Sequence, residues 1–239
     1  MLDRILAAAA GTVVLATGLA CSQAAPQDAA LVAKWKDAVV TDMKAKTLEG
    51  ADANLAQHAG KVILFVNVAS QCGLTPQYTG LQKIYDKYRE QGLVVIGVPS
   101  GDFGGQEFDT AGEIREFCDT RYKVTFPILE KCGVKPGTAQ GEVFTCLGTK
   151  TGELPGWNFG KYLVARDGKT ATFFASTVAP ESGKLVEAIE KALKEAAPAA
   201  PATSTAPAKP AEGAKGAGNA EKSPTSAEPA APAAPASPK

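Results

Sequence analysis

The chain is predicted to be an α/β protein, with helices layered on both faces of a central mixed sheet. Three observations lead there. Two continuous apolar runs, "KVILFVNVA" at 61–69 and "LVVIGVP" at 93–99, have the length and β-branched content of strands covered on both faces. An amphipathic helical stretch separates them, and strand, helix, strand at this spacing implies a parallel pair. Further along, two apolar segments flank Arg166-Asp167-Gly168-Lys169, whose Asp-Gly marks a hairpin and hence an antiparallel pair.

Each element follows from local chemistry. After the first run, Thr75 offers an N-cap and Pro76 a first-turn proline, and Leu81, Ile84, Tyr85 and Tyr88 recur at helical spacing. Gly92 ends that helix ahead of the second strand. The Gly-rich loop "SGDFGGQEFD" follows. Thr110 and Glu113 then form a capping box for a helix reaching about Tyr122, with Ile114, Phe117 and Cys118 on one face. "TFPILEKC" reads as a strand with an irregular entry at its proline, and "GEVFTCLGT" as a short helix. The hairpin strands are "WNFGKYLVA" and "TATFFAS", and a last helix starts near Pro180 and carries Leu185, Val186, Ile189 and Leu193. This order fits a thioredoxin-like three-layer α/β/α domain with a central mixed sheet.

Composition divides the 239 residues unevenly. Residues 38–195 hold the aliphatic and aromatic content of a single buried core, with 25–37 read as a linker to it. Residues 196–239 are Ala, Pro, Lys, Ser, Gly and Glu with no aromatic side chain, so they have little to bury against the entropy of ordering and are expected to be a disordered tail. Residues 1–24 contain "ILAAAAGTVVLATGLA", too short for a comfortable membrane span but suited to an export signal. Cys21 directly follows that run and resembles the lipidated cysteine of bacterial lipoproteins, although Gly18 stands where leucine is usual. Cleavage after Ala24 would instead discard Cys21 and release a soluble exported protein. Either way the chain is expected in the bacterial cell envelope or periplasm, with a membrane contact only through that anchor.

Charge and histidine content narrow the chemistry. Net charge is zero and no basic stripe stands out, which argues against a nucleic-acid surface. His58 is the only histidine, and the cysteine spacings match no zinc pair, so neither a metal site nor a Cys-His catalytic pair is expected. Cys72 is different. In "VNVASQCGLTPQY" it sits between a buried strand and a helix N-terminus, where unpaired amides and the helix dipole favour an anion. That position suits a reactive thiol as well as it suits a buried small hydrophobe.

"NVASQCGLTPQY", "FGGQE" and "WNFGKYLV" resemble, in order and spacing, three motifs of the glutathione peroxidase family, over about residues 40–195. The resemblance implies a thioredoxin-like fold, no cofactor, and a peroxidatic residue at Cys72. It completes a catalytic tetrad with Gln106, Trp157 and Asn158. Attack on an O–O bond needs donors for the charge developing on oxygen, and two carboxamides and an indole N–H supply them without a competing base. Cys118, in "EIREFC", resembles the resolving cysteine of the thioredoxin-dependent members, which implies a Cys72–Cys118 disulfide and a thioredoxin-like reductant in preference to glutathione.

Two departures bear on selectivity. Where the family commonly has Phe-Pro-Cys-Asn-Gln-Phe, this chain has Val98-Pro99-Ser100-Gly101-Asp102-Phe103, losing a cysteine and placing a carboxylate beside the site. The segment "GTKTGELPG" before Trp157 is short, as in monomeric members that act on bulky lipid hydroperoxides. Cys132 and Cys146 lie outside the motifs and are expected to be two buried free thiols, with a disulfide between them, which export to an oxidising compartment would permit, as the alternative. A thioredoxin-like disulfide oxidoreductase is the competing enzyme reading, but Gly73-Leu74-Thr75-Pro76 offers no second cysteine near Cys72. A lipid-tethered module with an idle thiol is the non-enzymatic one.

Overall fold

The computed structural model describes residues 29–137 and 139–197. The predicted signal with Cys21, and the tail from residue 198 onward, lie outside the described residues. In chain order the elements are α1 (Ala29–Lys36), β1 (Ala45–Lys46), β2 (Asp52–Ala53), β3 (Val62–Val68), α2 (Gln77–Tyr88), β4 (Leu93–Pro99), α3 (Ala111–Phe117), α4 (Glu142–Thr151), β5 (Lys161–Val164), β6 (Ala171–Phe174) and α5 (Gly183–Lys194).

The central sheet has the order β4-β3-β5-β6. β3 runs parallel to β4 and antiparallel to β5, which pairs antiparallel with β6, so the sheet is mixed as expected. All seven residues of β3 and all seven of β4 are buried, which is why both read as apolar runs, β3 interrupted only by Asn67. Successive side chains take opposite faces. Val62, Leu64, Val66 and Val68 pack with Leu81 and Ile84 of α2, Ile114 of α3, and Leu185 and Ile189 of α5. Ile63 and Phe65 pack with Trp35 of α1 and Phe144, Cys146 and Leu147 of α4.

Local signals explain most boundaries. Gly92 adopts φ 101°, the left-handed conformation that closes the helical segment before β4. Thr110 and Glu113 make the capping box reciprocally, with the Glu113 N–H donating to the Thr110 hydroxyl and the Thr110 N–H to the Glu113 carboxylate. The hairpin turn is held by Asp167, whose carboxylate accepts from the Lys169 and Thr170 N–H groups at 2.8 and 2.9 Å.

The structure departs from the sequence reading in several places. Residues 25–37, read as a linker, contain α1, whose Trp35 is only 3% exposed. Burying that indole contributes roughly 2–3 kcal/mol, against about 0–1 kcal/mol for the exposed Lys34–Glu142 pair at 2.7 Å. Among the described side chains of α1, Trp35 is therefore the larger contributor to its attachment, although its buried indole N–H has no partner and offsets part of that gain. "TFPILEKC" forms no strand. Pro127 has no N–H to give, and the segment makes only isolated bridges: Ile128 to Gly97, through the Gly97 N–H to the Pro127 carbonyl and the Leu129 N–H to the Gly97 carbonyl, both 2.9 Å, and Leu129 to Thr47, through the Leu48 N–H to the Ile128 carbonyl at 3.0 Å and the Glu130 N–H to the Lys46 carbonyl at 2.9 Å. The helix expected to reach Tyr122 is α-helical only to Phe117 and continues from Cys118 to Tyr122 as a wider π turn. The last helix starts at Gly183, with Pro180 before it in the preceding turn.

Candidate active site

The site forms where the carboxyl ends of the parallel strands β3 and β4 meet the start of the antiparallel β5, the place where open α/β sheets gather loops. Three loops contribute, following β3, following β4, and preceding β5.

Cys72 lies four residues beyond the end of β3 and is 8% exposed. Its N–H donates to the Thr75 hydroxyl at 2.9 Å, and that hydroxyl donates to the Ala69 carbonyl at 2.9 Å. The Leu74 N–H points at the Cys72 sulfur, 3.4 Å away. Thr75 therefore does not cap α2, contrary to expectation. Pro76 occupies the N-cap position, and the Thr75 side chain turns back to brace the Cys72 loop. A buried hydroxyl with a donor and an acceptor on one loop gains more there than at a helix end that water can reach.

The second loop is docked beside Cys72. The Gln71 N–H donates to the Gln106 carbonyl at 2.9 Å, and the Ser70 N–H to the Glu107 carboxylate at 3.2 Å. Burial holds the Glu107 carboxyl above its ordinary range. Gly104 and Gly105 adopt φ 71° and 63°, which only glycine reaches without strain, and this sharp turn brings Gln106 back towards β3.

The third loop supplies Trp157 and Asn158. The buried Asn158 donates its Nδ2 to the Gln106 Oε1 at 3.1 Å, which commits the Gln106 oxygen and leaves its amide nitrogen as a donor. Trp157 is 42% exposed and lies over Phe103, ring centroids 5.8 Å apart. Asn67, within β3, anchors this turn. Its Nδ2 donates to the Trp157 carbonyl at 3.2 Å, and its own carbonyl accepts from the Phe159 N–H at 2.7 Å. The sequence reading missed Asn67, although an amide inside the apolar run "VILFVNV" was the available signal. It also missed Glu107 and Lys161.

Asp102, expected to present a new carboxylate beside the site, is occupied elsewhere. It accepts from the Val134 and Lys135 N–H groups at 2.6 and 2.8 Å, and the next residue, Phe103, is the one that reaches Trp157.

The other described cysteines are free thiols. Cys118 opens the π turn and is fully buried, and burial pushes its thiol up to about 11. Burial pushes Cys132 and Cys146 up to about 12 each. At pH 8, iodoacetamide is expected to alkylate Cys72 well before these three, as read by peptide mass spectrometry against time. Equal labelling of Cys132 would remove the distinction.

The Cys72 thiol, on a loop hydrogen-bonded to the loop that carries Gln106, which in turn meets Asn158, makes a thiol-based oxidoreductase site on a thioredoxin-like sheet. Residues 40–148 match the glutathione peroxidase family model. The chain is 46% identical over 147 residues to the hydroperoxy fatty acid reductase Gpx2 of Synechocystis, covering 62% of this chain and 94% of the relative. It is 41% identical over 146 residues to the glutathione peroxidase-like peroxiredoxin 2 of Saccharomyces cerevisiae, covering 59% and 90%. Among solved structures, the apo form of Trgpx is similar with a TM-score of 0.54 and 33% identity, covering 67% of this chain and 99% of that one. The chain belongs to the glutathione peroxidase family, and it is a peroxidase.

Proposed function

We propose that Cys72 is the peroxidatic nucleophile and that Gln106, Trp157 and Asn158 serve the oxygen it attacks. The Cys72 thiolate takes the terminal oxygen of a hydroperoxide, the O–O bond breaks, and the sulfur becomes a sulfenic acid. The departing alkoxide or hydroxide gains a proton to leave as alcohol or water. The Cys118 thiol then attacks the Cys72 sulfur, releasing water and forming a Cys72–Cys118 disulfide, which a thioredoxin-like dithiol reduces. The observation that carries this reading is the docking of the Gln106–Asn158 amide pair on the Cys72 loop through the Gln71 N–H. Such preset donors are worth about 10²–10³ in rate each at comparable sites.

Relatives named hydroperoxy fatty acid reductase and glutathione peroxidase-like peroxiredoxin support organic and lipid hydroperoxides, besides hydrogen peroxide, as substrates and a thioredoxin-like reductant. The half-exposed Trp157 over Phe103 offers an apolar edge for a fatty chain. The test is a coupled assay crossing hydrogen peroxide and a fatty acid hydroperoxide with thioredoxin and glutathione. Turnover with thioredoxin on both peroxides is expected, and turnover with glutathione alone would overturn the reductant.

The same proposal places the protein in the envelope or periplasm of a bacterial cell, exported by a lipoprotein-like signal within residues 1–24, lipid-anchored through Cys21, and monomeric. No described helix is long and apolar enough to cross a membrane. Radiolabelled palmitate should enter the protein and fail to enter Cys21→Ser. Sedimentation of the protein without its signal should give a single-chain mass, and a dimer mass would reject the monomer.

A further inference from the structure

Lys161, the first residue of β5, is completely buried. Its Nζ donates to the Gln77 Oε1 at 2.6 Å and to the Phe159 carbonyl at 2.7 Å. Among the described residues no carboxylate forms an ion pair with it, and burial alone pushes its amine down to about 7. A neutral amine has two N–H groups, and two acceptors are present, so that form is fully satisfied where an ammonium would keep one donor unmatched. Core packing alone does not call for such a residue, because a methionine would fill the space without the cost of desolvating an amine.

Both acceptors belong to the site's framework. Phe159 adopts φ 67°, a left-handed conformation strained for an aromatic residue, immediately after Trp157 and Asn158. Its N–H is held by Asn67 and its carbonyl by Lys161, so the strained residue is fixed on both sides. Gln77 is the first residue of α2, the helix entered from the Cys72 loop, and its Nε2 donates onward to the Ser176 carbonyl at 2.9 Å.

We propose that Lys161 is a positioning residue of the peroxidase, its buried amine pinning the Trp157–Asn158 turn to the start of the helix that follows Cys72. It acts only through those residues, so the inference rests on their proposed catalytic roles. Lys161→Met keeps length and volume but removes both donors. Gln77→Leu, at a half-buried position, removes one acceptor without touching the core.

In steady-state kinetics the apparent second-order constant for peroxide is expected to fall about tenfold or more in each variant, in line with the cost of small misplacements of catalytic groups. The constant for the reductant should stay within about twofold of wild type, because reduction of the disulfide does not use the Trp157–Asn158 turn. Acrylamide quenching of Trp157 fluorescence should rise, with the buried Trp35 as internal reference. A folded Lys161→Met protein with a peroxide constant within about twofold of wild type would overturn the proposal, as would an equal fall in both constants. If Lys161→Met does not fold, Gln77→Leu decides by the same criteria. Cys72→Ser run in parallel separates the levels: full turnover in that variant rejects the nucleophile and this inference together, whereas an inactive Cys72→Ser beside a fully active Lys161→Met rejects this inference alone.

Discussion

In Cys72→Ser, a stoichiometric dose of peroxide is expected to survive where the wild-type protein consumes one equivalent in a single fast phase. Serine keeps the size of the side chain and can still accept from the Leu74 N–H, so the loop braced by Thr75 should keep its shape. What is lost is the nucleophile. A hydroxyl is not appreciably ionised at neutral pH, and among the described residues no hydrogen bond joins position 72 to a side-chain base that could activate it. The loss should be on the order of 10³ or more in rate, as for other removed nucleophiles. Stopped-flow decay of peroxide with equal concentrations of enzyme and substrate measures it. Consumption at the wild-type rate would show that the thiol at 72 is a spectator and would leave the tetrad without a reaction to serve.

Cys118→Ser should separate the two halves of the cycle. The first peroxide equivalent is still consumed, but the protein stalls as the Cys72 sulfenic acid, detectable by dimedone adduct mass, and thioredoxin-linked turnover falls to background. In the wild-type protein the same dose should yield a Cys72–Cys118 disulfide. Cys118 is fully buried in the folded protein at the start of the π turn from Cys118 to Tyr122, so we expect that turn to open as the bond forms. The pH dependence has a definite sign. In the closed form burial holds the thiol up at about 11, whereas an exposed thiol titrates near ~8.5. Below about 8.5 both forms are protonated and closure is fully favoured; as pH rises from there towards 11 only the open form ionises, and closure is progressively lost. Disulfide formation should therefore accelerate through that window, beyond any change in the rate of peroxide attack. Undiminished thioredoxin-linked turnover in Cys118→Ser would remove Cys118 from the cycle and point to direct reduction by a small thiol.

The strands and most helices were legible because their cues are local. β3 and β4 are buried at every position and apolar at all but Asn67, since both faces are covered, Thr110 and Glu113 are three residues apart, and Asp167-Gly168 occupies a turn that needs a positive φ, 65° at Gly168. The residues matched to the tetrad were legible for a different reason, as three short motifs in order. What each of them touches was not. Thr75 looked like a helix cap because Thr-Pro before a helical pattern usually is one, but its hydroxyl found a donor and an acceptor within its own loop. Asp102 looked like a charge facing the site and proved to be tied to the Val134 and Lys135 amides, more than 30 positions away.

The sequence by itself determined the order of β3, α2, β4, α3, the β5–β6 hairpin and α5, the three-layer class and the family, and it singled out Cys72 as the candidate nucleophile, because all of these depend on periodicity, capping and motif spacing within short windows. Only the tertiary structure decided that residues 29–36 belong to the domain through Trp35, that "TFPILEKC" is not a strand, and that Asn67, Glu107 and Lys161 hold the site together. The physical reason is the same in each case. A buried polar group or a large aromatic is satisfied by whatever the fold brings to it, and partners such as Asn67 and Trp157 are 90 positions apart in the chain. No local pattern records that meeting; it exists once β3 and β5 lie side by side.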